Sequence, residues 1–211
     1  MTANDSLLLT PLARLDIDTE RLRLVAGDAG LARAMCDYQR RNRAYFAPWD
    51  PPTEPAFYTV EGQIKRMQHG LVAFSVDTAY RYWLIDTRKS GGVRLPLSEV
   101  EVIGSIHFNQ VQRGAFHSAM LGYSLDEAYV GQGLMTEALA AGIAEMFSPR
   151  VNLHRLQAAY RPENARSAAV LERLGFQFEG MARDYLYIDG AWRDHRITSL
   201  HNPAFIRPEG W

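Results

Sequence analysis

Met120-Leu-Gly-Tyr-Ser-Leu-Asp-Glu-Ala-Tyr-Val-Gly-Gln-Gly-Leu-Met-Thr-Glu-Ala138 reads as a strand, a Gly-x-Gly turn and the first turn of a helix, with no linker between them. Glycine at 131 and 133 lets the backbone take positive φ and leaves room for a ligand to approach the main chain. The helix that follows begins with N–H groups that lack intrahelical acceptors and with the positive end of its dipole. Together these features form a pocket for a phosphate or diphosphate. The dinucleotide fingerprint is excluded because its third glycine falls on Thr136, and the P-loop is excluded because no Gly-Lys-Ser/Thr follows. A lone Gly-x-Gly can also be a close-packed turn and nothing more, so the flanking segments must decide.

Downstream, 133–147 keeps helical periodicity through Leu134, Ala138, Ala141 and Met146, and 154–160 reads as a strand. Asn164 is placed to cap a helix over 165–174 that Gly175 would end. Strands near 176–188 and 193–200 follow. Upstream, 20–26 alternates charged and apolar residues as a strand does, and Asp28 precedes a helix whose apolar face holds Leu31, Met35 and Tyr38. Residues 46–55 carry four prolines in ten positions and form a stiff loop that presents Phe46 and Trp49. A second helix is expected over about 58–70, then strands at 80–86, 101–111 and 117–125, with a hairpin insertion around Ser90-Gly91-Gly92. This order predicts the α/β class, a mixed sheet with helices on both faces. One domain over 19–201 is expected between an N-terminal tail, 1–18, and a C-terminal tail, 202–211.

The chain has 211 residues, 47% hydrophobic and 22% charged, enough to bury a core without disulfides or metal. Its single cysteine, Cys36, has no partner in the chain, which fits a reducing compartment. The start is acidic, without an apolar stretch suited to secretion, and no apolar run approaches a membrane span; a cytoplasmic location is expected. The 23 basic and 24 acidic residues leave a net charge of −1, which argues against direct nucleic-acid binding. Arg40, Arg41 and Arg43 form the one dense basic cluster, readable as a solvated helix end or as a docking point for an acidic partner. No His/Cys/Asp cluster has zinc-ligand spacing, and no Gly-x-Ser-x-Gly elbow is present.

The stretch Ala128-Tyr-Val-Gly131-Gln132-Gly133 resembles the cofactor turn of the GNAT superfamily of N-acetyltransferases, Gln/Arg-x-x-Gly-x-Gly/Ala, and departs from it at Ala128. Asn164-Ala-Arg-Ser167 followed by Gly175-Phe176 resembles that family's second cofactor motif. Phe46-Ala-Pro-Trp49, Arg113-Gly-Ala-Phe-His117, Leu121-Gly-Tyr-Ser124 and Asp184-Tyr-Leu-Tyr-Ile-Asp-Gly-Ala-Trp-Arg-Asp-His195 extend the likeness to its RimJ-type branch, the ribosomal-protein alanine acetyltransferases.

The resemblance implies a mostly antiparallel twisted sheet of about seven strands and acetyl transfer from acetyl-coenzyme A to an amine, without metal. It places Ser124, Leu125, Gly131, Gln132, Gly133, Leu134, Met135, Thr136, Asn164 and Ser167 at the cofactor. Ser167, Asn164 and Tyr123 become the catalytic candidates, with Ser167 as the acid for the leaving thiolate. Leu171 stands where many members have a tyrosine and has no proton to give. Phe46 and Trp49 are expected to line the acceptor channel, and Tyr123, His107 and His117 are further candidates for it. Either histidine could equally be a packing residue.

The implied acceptor is a protein N-terminus, the alanine end of a small-subunit ribosomal protein, with no membrane partner. An α-amine with a pKa near 8 is roughly a tenth neutral at pH 7, so it asks little of a base. Glu127, Glu179 and Asp184 are unranked candidates for that base. Two alternatives stay open: transfer to a small amine such as an aminoglycoside or polyamine, and a non-catalytic coenzyme A-binding factor in ribosome assembly.

Overall fold

The computed structural model describes residues 11–210. The first ten residues of the expected N-terminal tail, the acidic start among them, lie outside that range. The chain opens with β1 (Asp16–Asp18) and β2 (Leu22–Val25), then α1 (Ala32–Arg41), α2 (Arg43–Phe46) and α3 (Val60–Ser75). Three strands follow, β3 (Tyr80–Asp86), β4 (Val102–Gln112) and β5 (Ser118–Leu125). Then come α4 (Leu134–Met146), β6 (Arg155–Tyr160), α5 (Ala165–Arg173), β7 (Gln177–Ile188) and β8 (Ala191–His201). All eight strands join one sheet in the order β1-β2-β3-β4-β5-β6-β8-β7, and every neighbouring pair is antiparallel except β5 with β6.

The sheet thus has eight strands where about seven were expected. The extra one, β1, lies inside the stretch read as a tail; three residues are too short to show a periodic signal, yet Ile17 is buried. The C-terminal segment is likewise tied down. The buried Asn202 amide donates to the carbonyls of Phe147 (3.3 Å) and Leu153 (2.9 Å), and Asn152 exchanges two hydrogen bonds with Ile206.

Strand periodicity divides the core between the two faces. Tyr82 and Leu84 pack in the cluster that holds Leu134, Ala138 and Leu139 of α4. Trp83 and Ile85 pack on the other face, with Met35 and Tyr38 of α1 and Met67 of α3. Burying a side chain of this size contributes about 1.5–3 kcal/mol each, so the two clusters clamp the sheet from both sides. Asp28 accepts the Gly30 amide at 2.8 Å and starts the first helical segment as its position suggested. Helix α3 runs five residues past the expected end at Gly70, because Phe74 still has a buried site against Tyr80 and Tyr82, edge-on at 4.8 and 5.6 Å between ring centroids.

One irregularity positions the site. β5 and β6 pair in parallel only from Ser118/Arg155 to Leu121/Ala158. β5 then continues to Leu125 and β6 to Tyr160 without partnering each other, so the two strands splay. α4 starts beyond the end of β5, and α5 starts beyond the end of β6.

Candidate active site

One wall of the splay is the turn into α4. Gly131 has φ 83° and Gly133 φ 75°, left-handed values that favour glycine, and Gly133 is itself the N-cap of α4. The Glu137 amide donates to the Gly133 carbonyl at 3.1 Å. Among the described residues no acceptor serves the N–H groups from 131 to 136. A Cβ built on Gly131 would meet no atom within 4 Å, so the space beside the turn is open to a ligand. Free amides, positive dipole end and clearance together suit a diphosphate.

The turn is held from the far side of the sheet. Glu137 accepts from Thr19 Oγ1 (2.6 Å), from the Arg21 amide (2.8 Å) and from Arg21 Nε (2.6 Å). Arg21 Nη1 donates to the Gln132 carbonyl at 2.8 Å, and Arg88 Nη2 donates to Gln132 Oε1 at 3.0 Å. Burial alone would lift the Glu137 carboxyl; the hydrogen bonds from Thr19 and Arg21 outweigh it and hold the group below its ordinary range. Two guanidiniums therefore stand beside the turn, where Ala128 supplies no polar side chain. Sequence reasoning missed both, because they reach Gln132 from 111 and 44 residues away.

Across the splay, the Tyr123 hydroxyl lies 2.6 Å from Ser167 Oγ and donates to the Ser167 carbonyl at 3.2 Å. Asn164 Oδ1 caps α5 by accepting the Ser167 amide at 3.0 Å, which leaves the Asn164 NH₂ without a protein partner among the described residues. The fold thus gathers Tyr123, Asn164 and Ser167, 44 residues apart at the widest, around one gap. Burial pushes the Tyr123 phenol up, and the Ser167 hydrogen bond only partly offsets that, so Tyr123 stays protonated. Leu171 is buried at 1% exposure in the core.

Alternation sends Ser124 to the opposite face. Its Oγ accepts from the Tyr38 hydroxyl at 2.9 Å and lies 3.3 Å from Ser105 Oγ. Leu125 packs its side chain against the core. Ser124 pairs with Ser105 of β4, so the main-chain groups that β5 turns toward the splay are those of Tyr123 and Leu125.

The proline-rich loop forms the other wall. The Arg161 guanidinium lies over the Trp49 ring, 5.5 Å from its centroid, and donates to the Pro48 carbonyl; Arg166 donates to the Tyr45 hydroxyl at 3.0 Å. Trp49 remains partly exposed. Phe46 does not line a channel with it. Phe46 ends α2 at 8% exposure and packs on Tyr38 and Tyr45, supporting the loop from beneath. The two histidines separate as well. His107 pairs with Gly122 across β4 and β5, and its ring occupies the space a Cβ at 122 would need, 2.2 Å from Nε2. His117 precedes the opposite end of β5, against Phe205, away from the splay.

The carboxylates singled out in the sequence lie in three different settings. Glu179 accepts from Ser199 Oγ (2.6 Å) and pairs with Arg155, and these contacts hold it low. Asp184 sits at φ 47° in the irregular part of β7, its amide bound to Asp194 Oδ1. Glu127 is exposed in a 3-10 turn after β5. Asp50 was not singled out. It lies one residue beyond Trp49, and among the described residues its carboxylate has no hydrogen bond or ion pair. Asp50 is water-exposed along one side and surrounded by protein on the others. This loss of hydration pushes its pKa up to about 6, with Arg81 acting against the rise. A separate concavity of about 440 Å³, lined by the Arg94, Asp18, Lys89 and Glu101 ion-pair groups, lies on the β1–β3 side and contains none of the splay residues.

A family model described as an acetyltransferase (GNAT) domain matches residues 8–177. The [ribosomal protein uS5]-alanine N-acetyltransferase of Escherichia coli K12 is 38% identical over 193 residues, covering 92% of this chain and 93% of that protein. The crystal structure of ribosomal-protein-S5-alanine acetyltransferase from Vibrio fischeri superposes with a TM-score of 0.83 at 34% identity, over 92% of this chain and all of that one. Mycobacterium smegmatis RimJ in complex with CoA-disulfide superposes with a TM-score of 0.75 at 28% identity, over 85% of this chain and 81% of that one.

Proposed function

This chain belongs to the GNAT acetyltransferase family, and from that premise we propose that it acetylates the α-amine of a protein N-terminus, with the alanine end of a small-subunit ribosomal protein as acceptor. It is an acyltransferase. The observation that carries the proposal is the splay between β5 and β6, flanked by free amides on one side and by Tyr123, Asn164 and Ser167 on the other. The match to the E. coli uS5-alanine enzyme over nearly the whole of both chains supports the acceptor. The coenzyme A derivative bound to the M. smegmatis relative supports acetyl-coenzyme A as co-substrate.

In this reading the amides of Gly131 to Thr136 hold the diphosphate, and the Asn164 NH₂ faces the pantetheine arm. Main-chain donors of β5 between Tyr123 and Leu125 polarise the thioester carbonyl and stabilise the oxyanion that forms as the amine attacks. As the N–C bond forms and the C–S bond breaks, Ser167 delivers a proton to the sulfur, and the Tyr123 hydroxyl holds Ser167 Oγ in place. Trp49 and the loop beneath it shape the approach of the peptide.

A polycationic acceptor is disfavoured. The acceptor wall carries Arg161 and Arg166, and Arg81 lies beside Asp50, so an aminoglycoside or polyamine would meet like charge. The test is thiol release from acetyl-coenzyme A across peptides with varied first residues, alongside free lysine and spermidine. Alanine-initiated peptides are expected to lead. A preference for spermidine would overturn the acceptor, and no release with any amine would favour a binding factor.

A further inference from the structure

Three carboxylates near the ends of β5 and β6 or on β7 are engaged. Asp126 pairs with Arg41 and accepts from Asn42 Nδ2 at 3.0 Å, Glu163 pairs with Arg161 at 3.4 Å, and Glu179 is held by Ser199 and Arg155. Among the described residues, the carboxylates of Asp50 and Glu127 are unengaged; Glu127 is exposed on the turn beyond β5, whereas Asp50 stands in the anchored loop with its backbone fixed, its amide donating to the Phe46 carbonyl at 2.9 Å. The loop that carries it is pinned through Pro48 and Trp49 to Arg161, just past the end of β6. Asp50 is also within electrostatic reach of Tyr38, whose hydroxyl touches Ser124 Oγ at 2.9 Å. Ser124 belongs to the part of β5 that β6 has left. Asp50 therefore sits in the loop anchored just past the end of β6, on the face of the sheet that carries Tyr38, Arg81 and Ser124.

We propose that Asp50 is the proton acceptor for the attacking α-ammonium. This assignment rests on the proposed transfer to a protein N-terminus. Asp50 takes one proton from the ammonium and later releases it to water. The neutral nitrogen forms its bond to the acetyl carbon as the C–S bond breaks. The second proton shed by nitrogen returns through water to Ser167, replacing the one that Ser167 gives to the sulfur. An ordinary aspartate, with a pKa near 3.9, would receive a proton from an amine near 8 with an equilibrium constant of about 10⁻⁴. Raised toward 6, Asp50 improves that to about 10⁻² and remains mostly ionised at pH 7.

The charged and titratable groups around this recess come from several elements: Tyr38 and Arg41 of α1, Arg66 of α3, Arg81 of β3, His107 of β4, and Arg161 after β6. Burial, with Arg81 and Arg66 adding to it, keeps His107 neutral; burial keeps Tyr38 protonated. Arg81, lowered by burial to about 10, is still charged at neutral pH. Asp50 is then the one group of the recess that titrates between pH 5 and 8.

The experiment is kcat against pH from 5 to 9 with an alanine-initiated peptide, for the wild type, Asp50→Asn and Asp50→Glu. The wild type is expected to lose activity on the acid side with a break near pH 6. Asp50→Asn should lower kcat at pH 7 by about 10²-fold, the usual worth of a positioned base, and abolish the break. Its coenzyme A affinity should not change. Its Tm at pH 7 should equal or exceed that of the wild type, because folding disfavours the charged form of this acid. Asp50→Glu should restore part of the rate. A peptide beginning with trifluoroalanine, whose amine is already neutral at pH 7, should lose far less on Asp50→Asn. If the wild type transfers acetyl to the peptide and Asp50→Asn keeps both kcat within twofold and the acid break, Asp50 is not the base. If the wild type releases no thiol with any peptide, the acceptor assignment itself falls, and this one with it.

Discussion

Replacing Gly131 by valine tests whether the main chain of the turn grips the coenzyme. Gly131 has φ 83°, and a β-branched residue held there costs about 1–3 kcal/mol of backbone strain. For a chain of this size that corresponds to a fall in Tm of roughly 2–12 °C. Beyond the two chain neighbours no protein atom lies within 4 Å of the added Cβ, so backbone strain is the main structural penalty, and the fold should survive. Gly92 supplies the control: its φ is 82°, its Cβ position is equally open, and it belongs to the insertion between β3 and β4. Gly92→Val should therefore lose a similar Tm and keep coenzyme A affinity. In Gly131→Val the isopropyl group stands between the phosphates and the amides. Losing two charge-assisted hydrogen bonds, each about 1.5–3 kcal/mol, weakens Kd by roughly 10²-fold or more. Thermal melts and isothermal titration with coenzyme A measure both quantities. Equal Kd in the two folded variants would refute the grip.

Ser167→Ala should lower kcat by about 10²-fold while the KM for acetyl-coenzyme A moves little, because a thiolate without a proton donor slows the chemistry rather than the binding. Trp49→Ala removes the ring beneath Arg161 and should raise the peptide KM much more than it disturbs acetyl-coenzyme A; equal loss of both would misplace the acceptor wall. Glu137→Gln weakens the clamp from Thr19 and Arg21 and should raise the Kd for coenzyme A by about 3- to 10-fold, the worth of roughly one hydrogen bond. Glu137, Asp126 and Glu179 are all held below their unfolded values, so their stabilisation is complete above about pH 4.3 and fades as pH falls through the folded values. Tm should accordingly drop steeply only below about pH 4, and Glu137→Gln should flatten part of that drop.

The elements that carry the site were legible where a local cause sets them. Helices α4 and α5 have glycine or asparagine at their starts and apolar stripes on one face, and both lie within a residue or so of the expected bounds. Strand β3 matches its expected range because its flanking residues change character on both sides. Long-range electrostatics left no such trace: nothing local in Thr19, Arg21 or Arg88 points to Gln132 and Glu137. Phe46 shows the limit of reasoning from loop composition. The prolines at 48, 51 and 52 do break the chain, but Phe46 precedes them in a helical turn and is drawn inward by Tyr38. Asp50 escaped notice for the opposite reason. Its significance lies in having no partner, and a lack of partners is a property of three dimensions.

The wall proposed to meet the acceptor is a single excursion of chain, residues 43–58, between two helices packed on the same face of the sheet. Its ties to the half proposed to hold the coenzyme pass through two arginines, Arg161 and Arg166, bound to a main-chain carbonyl, a tryptophan face and a tyrosine hydroxyl. None of these contacts touches the glycine turn. On the proposed function, selectivity for the recipient and the acceptance of its proton share one exchangeable excursion: a loop grafted between the same helix ends would retarget the enzyme only if it kept a carboxylate where Asp50 stands, while the coenzyme grip stayed untouched.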